Sequence, residues 1–125
     1  MIDLHALPGG ANDQDHSGTS SHKAELWENP KYLRTAKFCA TWLATQVKND
    51  VLKGCIGIQL CNEASAGVKG LFEWYGEVID AISEIDVSVP LYISDAWDLP
   101  SALNFAGLFN APESPVNPII VATSR

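Results

Sequence analysis

Strand-like and helix-like segments alternate along this chain, and that order limits its fold more than any other feature. The strand-like segments are 2–6, 55–61, 91–94 and 118–122. The helix-like segments between them are 30–48, 68–84 and 98–109. Strands joined through helices pair in parallel with right-handed crossovers. The sequence therefore predicts an α/β fold with about four parallel strands and intervening helices in a single domain over residues 1–125.

Capping residues and apolar spacing support the helix predictions. Asn29 before Pro30 is typical of a helix start, because Asn accepts hydrogen bonds from the first turn and proline needs no N–H there. Asp98 is a candidate cap for the third helix. Apolar residues recur at helical spacing in the second helix: Val68, Leu71, Phe72, Tyr75, Ile79 and Ile82. Trp42 and Trp74 lie within helices, and we expect both rings to pack inside the fold.

Charge and hydropathy exclude two kinds of partner. Eight Lys and Arg against fifteen Asp and Glu give a formal charge of -7, and the basic residues form no stripe that could neutralise phosphates. No apolar run reaches the ~20 residues that span a bilayer. We therefore expect neither nucleic acid nor membrane as a partner, and an acidic chain remains compatible with a neutral substrate such as a sugar.

The cysteines and the N-terminus carry little information about location. Cys39, Cys55 and Cys61 form no CxxC pair, so we expect them to be small buried hydrophobic residues. As written, the chain has no basic segment followed by an apolar one, so it carries no export signal. The sequence leaves the compartment and the assembly state open.

Polar and aromatic residues follow three of the strands. His5 precedes a Gly-, Asp- and Ser-rich loop over 7–22, Asn62 and Glu63 follow the second strand, and Asp95 and Trp97 follow the third. The carboxyl ends of parallel strands meet at one face, where ligands bind. Alternation through 57, 59, 61 and 63 places the Glu63 side chain on the non-aliphatic face of its strand.

The opposite face of that strand carries the aliphatic residues Ile56, Ile58 and Leu60, which we expect to pack on helices. Trp97 and Trp27 could each stack on a sugar ring or pack in the core. Asn62 and Glu63 together suit glycoside chemistry, since an amide binds a hydroxyl while a carboxylic acid protonates the departing oxygen. A helix cap or a rim ion pair is the alternative interpretation of this pair.

A metal site is disfavoured. The three histidines, with Asp13 and Asp15 nearby, show no HxH or HExxH spacing. We expect His16 and His22 to be solvated loop residues.

Three motifs in order resemble strands three, four and five of glycoside hydrolase family 5, nearest to the fungal exo-β-1,3-glucanase type. The motifs are Asp3-Leu4-His5 with Pro8-Gly9-Gly10 and Ser17-Gly18, then Gly57-Ile58-Gln59-Leu60-Cys61-Asn62-Glu63-Ala64, then Tyr92-Ile93-Ser94-Asp95-Ala96-Trp97. The resemblance implies part of a (β/α)8 barrel and retaining hydrolysis of β-glucan, without a metal or organic cofactor. It implies Glu63 as acid/base and Asn62 as a ligand of the sugar 2-hydroxyl. His5, Asp95 and Trp97 become candidate sugar contacts.

The chain also departs from that family. A complete barrel takes about 250 residues, and the family's nucleophilic glutamate follows a seventh strand that has no counterpart here. Ser124 occupies the position of a family histidine. Three hypotheses follow: a piece of a β-glucanase that is inactive by itself, a truncated homologue that only binds glucan, or a small α/β carbohydrate-binding module. The last predicts a cooperative monomer, whereas part of a barrel leaves strand edges that recruit a partner.

Overall fold

Four parallel strands form one sheet in the computed structural model, which describes residues 1–113 and 116–123. The strands are β1 (Ile2–Asp3), β2 (Ile58–Gln59), β3 (Leu91–Ser94) and β4 (Ile119–Ala122), and they lie side by side in chain order. The connecting helices are α1 (Pro30–Lys48), α2 (Leu71–Ser83) and α3 (Leu99–Phe109). This arrangement confirms the predicted α/β class and is consistent with part of a β/α barrel.

Helices α1 and α3 begin where their caps predict. Asn29 accepts hydrogen bonds from the N–H groups of Lys31 and Tyr32 at 3.0 and 3.2 Å. Asp98 accepts one from Ser101 N–H at 3.2 Å at the start of α3. α2 starts at Leu71 rather than at the predicted residue 68, because Gly70 takes a left-handed conformation with a φ of 87°.

Two strands are shorter than predicted. Regular pairing in β2 is confined to Ile58–Gln59, although the hydrogen bonds with β1 and β3 continue from Gly57 to Asn62. β1 ends at Asp3, and beyond it Asn62 N–H still donates to Leu4 C=O at 3.3 Å. These contacts bring the end of β1 beside the end of β2.

The core lies between the sheet and the helices. Ile58 and Leu60 are fully buried there, but Ile56 is 67% exposed, so the prediction that Ile56 packs on helices is wrong. Its position precedes the part of the strand that pairs with β1 and β3, and the helices do not cover it. On α1 the small residues Ala36, Ala40 and Ala44 are buried.

The tryptophans divide into buried and exposed pairs. Trp74 is buried, as predicted, and its ring N–H donates to Leu33 C=O at 3.1 Å. Trp42 is 51% exposed, which corrects the expectation that it packs inside the fold, because it lies on α1 beside an open groove shared with Leu4 and Phe38.

None of the described helices is long and apolar enough to cross a bilayer.

Candidate active site

The loop after β1 folds back over the carboxyl ends of the strands. Leu7 N–H donates to Ser17 C=O at 3.0 Å, and this bond closes the loop at its base. Trp27 is buried, with its ring N–H donating to Ala11 C=O at 2.9 Å. Because its indole is only 6% exposed, Trp27 packs under this loop, and the alternative that it stacks on a sugar is wrong.

Glu63 lies in a turn directly after the β2 ladder. Its backbone φ is 44°, in the left-handed region that non-glycine residues seldom occupy. Strand alternation therefore does not reach this residue, and the turn rather than the pleat directs its side chain. The side chain is 37% exposed, so the carboxylate is open to solvent and to a ligand.

A polar cavity of about 270 Å³ opens beside Glu63. Its lining residues are Asn12, Asp13, Gln14, Glu63, Ser65, Ala66 and Trp97. Trp97 follows β3 and is 51% exposed, which leaves part of its ring available to a ligand. An acid, amide groups and an aromatic ring around one small cavity are typical of a site for a polar, ring-shaped ligand.

A second cluster joins the ends of β1 and β2. His5 Nδ1 lies 2.8 Å from an Asp3 carboxylate oxygen, and His5 Nε2 lies 3.4 Å from Asn62 Nδ2. Gln59 Nε2 lies 3.4 Å from Asn62 Oδ1 on the other side. The structure thus brings together His5, Asn62 and Glu63, which the sequence singled out from two distant segments.

His16 is closer to this site than the sequence indicated. Its Nε2 lies 3.7 Å from a Glu63 carboxylate oxygen, and its ring centroid is 5.1 Å from that of His5. The expectation that His16 is a solvated loop residue is therefore incomplete, because the loop folds its ring onto the strand ends. His22 is 72% exposed and lies 3.1 Å from an Asp15 carboxylate oxygen, as expected of a solvated loop residue.

Asp95 occupies a different environment from Glu63. It is fully buried, and its carboxylate accepts a hydrogen bond from Trp97 N–H at 3.2 Å. It does not line the cavity that Glu63 and Trp97 share. The structure therefore associates Asp95 with the backbone that carries Trp97 and leaves it apart from the cavity wall.

Two titratable groups are buried beneath these strand ends. Burial, assisted by the nearby Asp3 carboxylate, raises the pKa of the Cys61 thiol well above its ordinary value. Burial likewise raises the pKa of Tyr75, whose hydroxyl oxygen accepts a hydrogen bond from Ser94 N–H at 3.0 Å. Both groups therefore stay protonated and neutral around pH 7.

Sequence reasoning missed Asn12, which is 8% exposed and donates a hydrogen bond to Glu63 C=O at 2.7 Å. Long loops rich in Gly, Asp and Ser, such as 7–22, often carry function, but no local pattern distinguished Asn12 from its neighbours. Ser124, discussed above as the counterpart of a family histidine, lies outside the described residues. Within 1–113 and 116–123, no group of three or more His, Cys, Asp or Glu side chains could hold a metal ion.

The parallel sheet defines an α/β protein, and in such proteins ligands bind at the carboxyl ends of the strands, where this chain carries an acid, an amide and aromatic groups. No protein-family model matches the chain. Individual proteins do match: it is 34% identical, over 78% of its length, to the Saccharomyces cerevisiae protein named uncharacterized glycosyl hydrolase YBR056W. It is 33% identical, also over 78% of its length, to Schizosaccharomyces pombe glucan 1,3-beta-glucosidase 3.

These matches relate the chain to glycoside hydrolases. Each covers 20% of the relative, so the chain spans about a fifth of the length of the curated proteins that it matches.

Proposed function

We propose that this chain carries the acid/base part of the active site of a retaining β-glucosidase of family 5, of the exo-β-1,3-glucanase type. Its substrate would be a β-glucan or a derived oligosaccharide. The observation that carries the proposal is the placement of Glu63 at the end of a parallel strand, in the wall of a polar cavity shared with Trp97. The names of the two relatives support the same class of reaction. In this proposal the four strands are strands three to six of a (β/α)8 barrel.

Each strand-end residue has a defined role in this proposal. Glu63 protonates the glycosidic oxygen as the bond breaks and then removes a proton from the water that releases the sugar. Asn62 binds the sugar 2-hydroxyl, and His5 lines the neighbouring part of the sugar site. The exposed face of Trp97 stacks on a sugar ring. Asp95, predicted as a sugar contact, contributes in this proposal by holding the turn that carries Trp97.

A retaining mechanism also needs a nucleophilic carboxylate about 5–5.5 Å from the acid/base. None of the carboxylates in this chain matches the nucleophile position of the resembled family. We therefore expect the chain by itself to bind a β-1,3-gluco-oligosaccharide without hydrolysing it. The second hypothesis, a truncated homologue that only binds glucan, leads to the same expectation. The third hypothesis, a small carbohydrate-binding module, differs from the other two because it predicts a monomer that unfolds cooperatively.

Calorimetric titration with laminaritriose, together with a reducing-sugar assay on laminarin, tests the proposal. Trp97→Ala should weaken binding about tenfold, since stacking on an aromatic ring is worth roughly 1–1.5 kcal/mol. Glu63→Gln should bind within about threefold of the wild type, because its amide keeps the shape of the carboxylate and can still hydrogen-bond. Trp42→Ala is the matched control, because this tryptophan is equally exposed, at 51%, but lies on α1 away from the cavity.

Two outcomes would contradict the proposal. Absence of laminaritriose binding by the wild-type chain would remove the sugar site, and equal losses in Trp97→Ala and Trp42→Ala would place binding elsewhere. Hydrolysis of laminarin by the purified chain would overturn the expectation of inactivity. If Glu63→Gln then abolished that hydrolysis, the acid/base assignment would survive.

A further inference from the structure

The backbone of Glu63 is in the left-handed region, with a φ of 44°, and this conformation sets the direction of its side chain. The left-handed region is unfavourable for an L-residue other than glycine, because it brings Cβ too close to the following carbonyl oxygen. Such conformations persist when surrounding contacts fix them, and they concentrate at functional sites. The contacts that fix Glu63 therefore also decide where its carboxylate points.

Those contacts come from the loop after β1 rather than from the neighbours of Glu63 in the chain. Asn12 Nδ2 donates to Glu63 C=O at 2.7 Å, across 51 residues of sequence. Two residues further on, Ser65 N–H donates to Ala11 C=O at 3.0 Å. Ala11 and Asn12 thus hold the backbone that directly follows the Glu63 Cα.

Asn12 is itself fixed in the orientation that this contact needs. Its side-chain oxygen accepts a hydrogen bond from Gln14 N–H at 2.8 Å, so its amide nitrogen is left to face Glu63. Its own carbonyl accepts a hydrogen bond from the Ser17 hydroxyl at 2.9 Å. The donor at this position is specific to an amide, because an aspartate of the same shape would place an oxygen against the carbonyl oxygen of Glu63.

We propose that Asn12 is a positioning residue for Glu63: its side-chain amide holds the backbone of Glu63 in the left-handed turn and so directs the carboxylate into the cavity. The importance of that direction for sugar binding rests on the proposed function. The claim that Asn12 holds the φ of Glu63 in the left-handed region does not rest on the proposed function, since it concerns the backbone of the turn alone. The same turn leaves the carboxylate 3.7 Å from His16 Nε2.

Asn12→Asp tests this proposal, because it keeps the shape of the side chain and removes the donor. NMR measurement of the HN–Hα coupling and of the NOE pattern at residue 63 reports its φ directly. The wild type should show a positive φ that Asn12→Asp loses. Asn104→Asp, an exposed change on α3, should leave φ at residue 63 unchanged.

A double-mutant cycle distinguishes positioning from general support of the loop. Asn12→Asp should weaken laminaritriose binding about tenfold when residue 63 is Glu, and by less than about twofold in a Glu63→Gly background, where no side chain remains to be directed. Equal losses in both backgrounds, or an unchanged φ at residue 63, would overturn the proposal. If Asn12→Asp does not fold, Asn12→Ala makes the same comparison without a buried charge. If the wild type binds no laminaritriose, the proposed function fails, and the NMR result still decides the role of Asn12.

Discussion

The turns after β2 and β3 lie side by side, and both contain non-glycine residues with a positive φ. Glu63 has a φ of 44° in the first turn, and Ala96 and Trp97 have φ values of 48° and 64° in the second. In the β3 turn, side chains of the turn itself accept hydrogen bonds from its backbone: Asp95 accepts from Trp97 N–H and the Ser94 hydroxyl accepts from Ala96 N–H, both at 3.2 Å. The β2 turn is held from a distance by Asn12.

This difference separates a buried carboxylate that bonds within its own turn from an exposed one that lines the cavity. The Asp95 carboxylate accepts a hydrogen bond from Trp97 N–H in its own turn and is fully buried. In the Glu63 turn, Asn12 donates the side-chain hydrogen bond to the backbone, and the Glu63 side chain stays 37% exposed in the cavity wall. The two strand-end acids therefore differ both in exposure and in the origin of the contacts that fix their turns.

The largest effect that we expect comes from alkaline pH, which acts on the buried groups beneath both turns. The folded-state pKa of Cys61 and that of Tyr75 lie above the unfolded values of 9.0 and 10.0, so their stabilising contributions are complete below those values and decline as pH rises. Each group should then lower the free energy of unfolding by about 1.4 kcal/mol per pH unit. Urea denaturation from pH 7 to 11 measures this decline.

Two variants distinguish the contributions of the two buried groups to the pH-dependent loss of stability. Cys61→Ala should remove the part of the decline that begins near pH 9.0, beneath the β2 turn. Tyr75→Phe should remove the part that begins near pH 10.0, beneath the β3 turn. A wild-type stability that stays constant up to pH 11 would contradict the assignment of both groups.

Asp95→Ala should produce the next largest effect. The substitution removes a buried hydrogen-bonded carboxylate and leaves Trp97 N–H without its acceptor. We expect a loss of about 2–3 kcal/mol in the free energy of unfolding, measured by chemical denaturation at pH 7. Asp13→Ala, at an exposed acid of the cavity wall, should change it by less than about 0.5 kcal/mol. Similar losses of stability in Asp95→Ala and Asp13→Ala would remove the distinction between a carboxylate that holds a turn and one that lines the cavity.

Glu63→Gly should have a smaller effect of opposite sign. Glycine adopts a φ of 44° freely, so this variant should exceed Glu63→Ala in the free energy of unfolding by about 1 kcal/mol. The same substitution should abolish the contribution of the Glu63 carboxylate to sugar binding. Thermal denaturation of the two variants side by side checks the sign, and a less stable glycine variant would show that residue 63 is not held in the left-handed region.

The smallest effect concerns the cap that follows the β3 turn. The Ser101 side chain, and then its N–H, lowers the pKa of Asp98 below its ordinary 3.8, so this contribution is present above pH 3.8 and fades as pH falls through the folded-state value. Ser101→Ala should be slightly less stable than the wild type at pH 6, and the two should converge in stronger acid. The difference should be small because Asp98 is exposed to solvent. A gap that widens on acidification would contradict this sign.

Sequence patterns predicted the helices better than the strand bounds. The α1 and α3 starts follow from Asn29 and Asp98, since a cap acts on N–H groups two or three residues away. The lengths of β1 and β2 do not follow from local residues, because pairing requires a neighbour that the sheet provides. The exposure of Ile56 and Trp42 has the same origin, since burial depends on which surfaces meet.

For the site, the sequence by itself determined that polar residues follow parallel strands and therefore share one face, which places Asn62, Glu63 and Trp97 together. The hydrogen bonds of the β3 turn run between residues two positions apart, but the sequence interpretation gave Asp95 as a sugar contact and did not predict this turn. Only the tertiary structure decided that Asn12 holds Glu63, that His16 lies 3.7 Å from the Glu63 carboxylate, and that Asp95 is buried. The physical reason is distance along the chain: local patterns encode contacts within a turn, whereas Asn12 and Glu63 are 51 positions apart and are brought together only by the packing of the whole sheet.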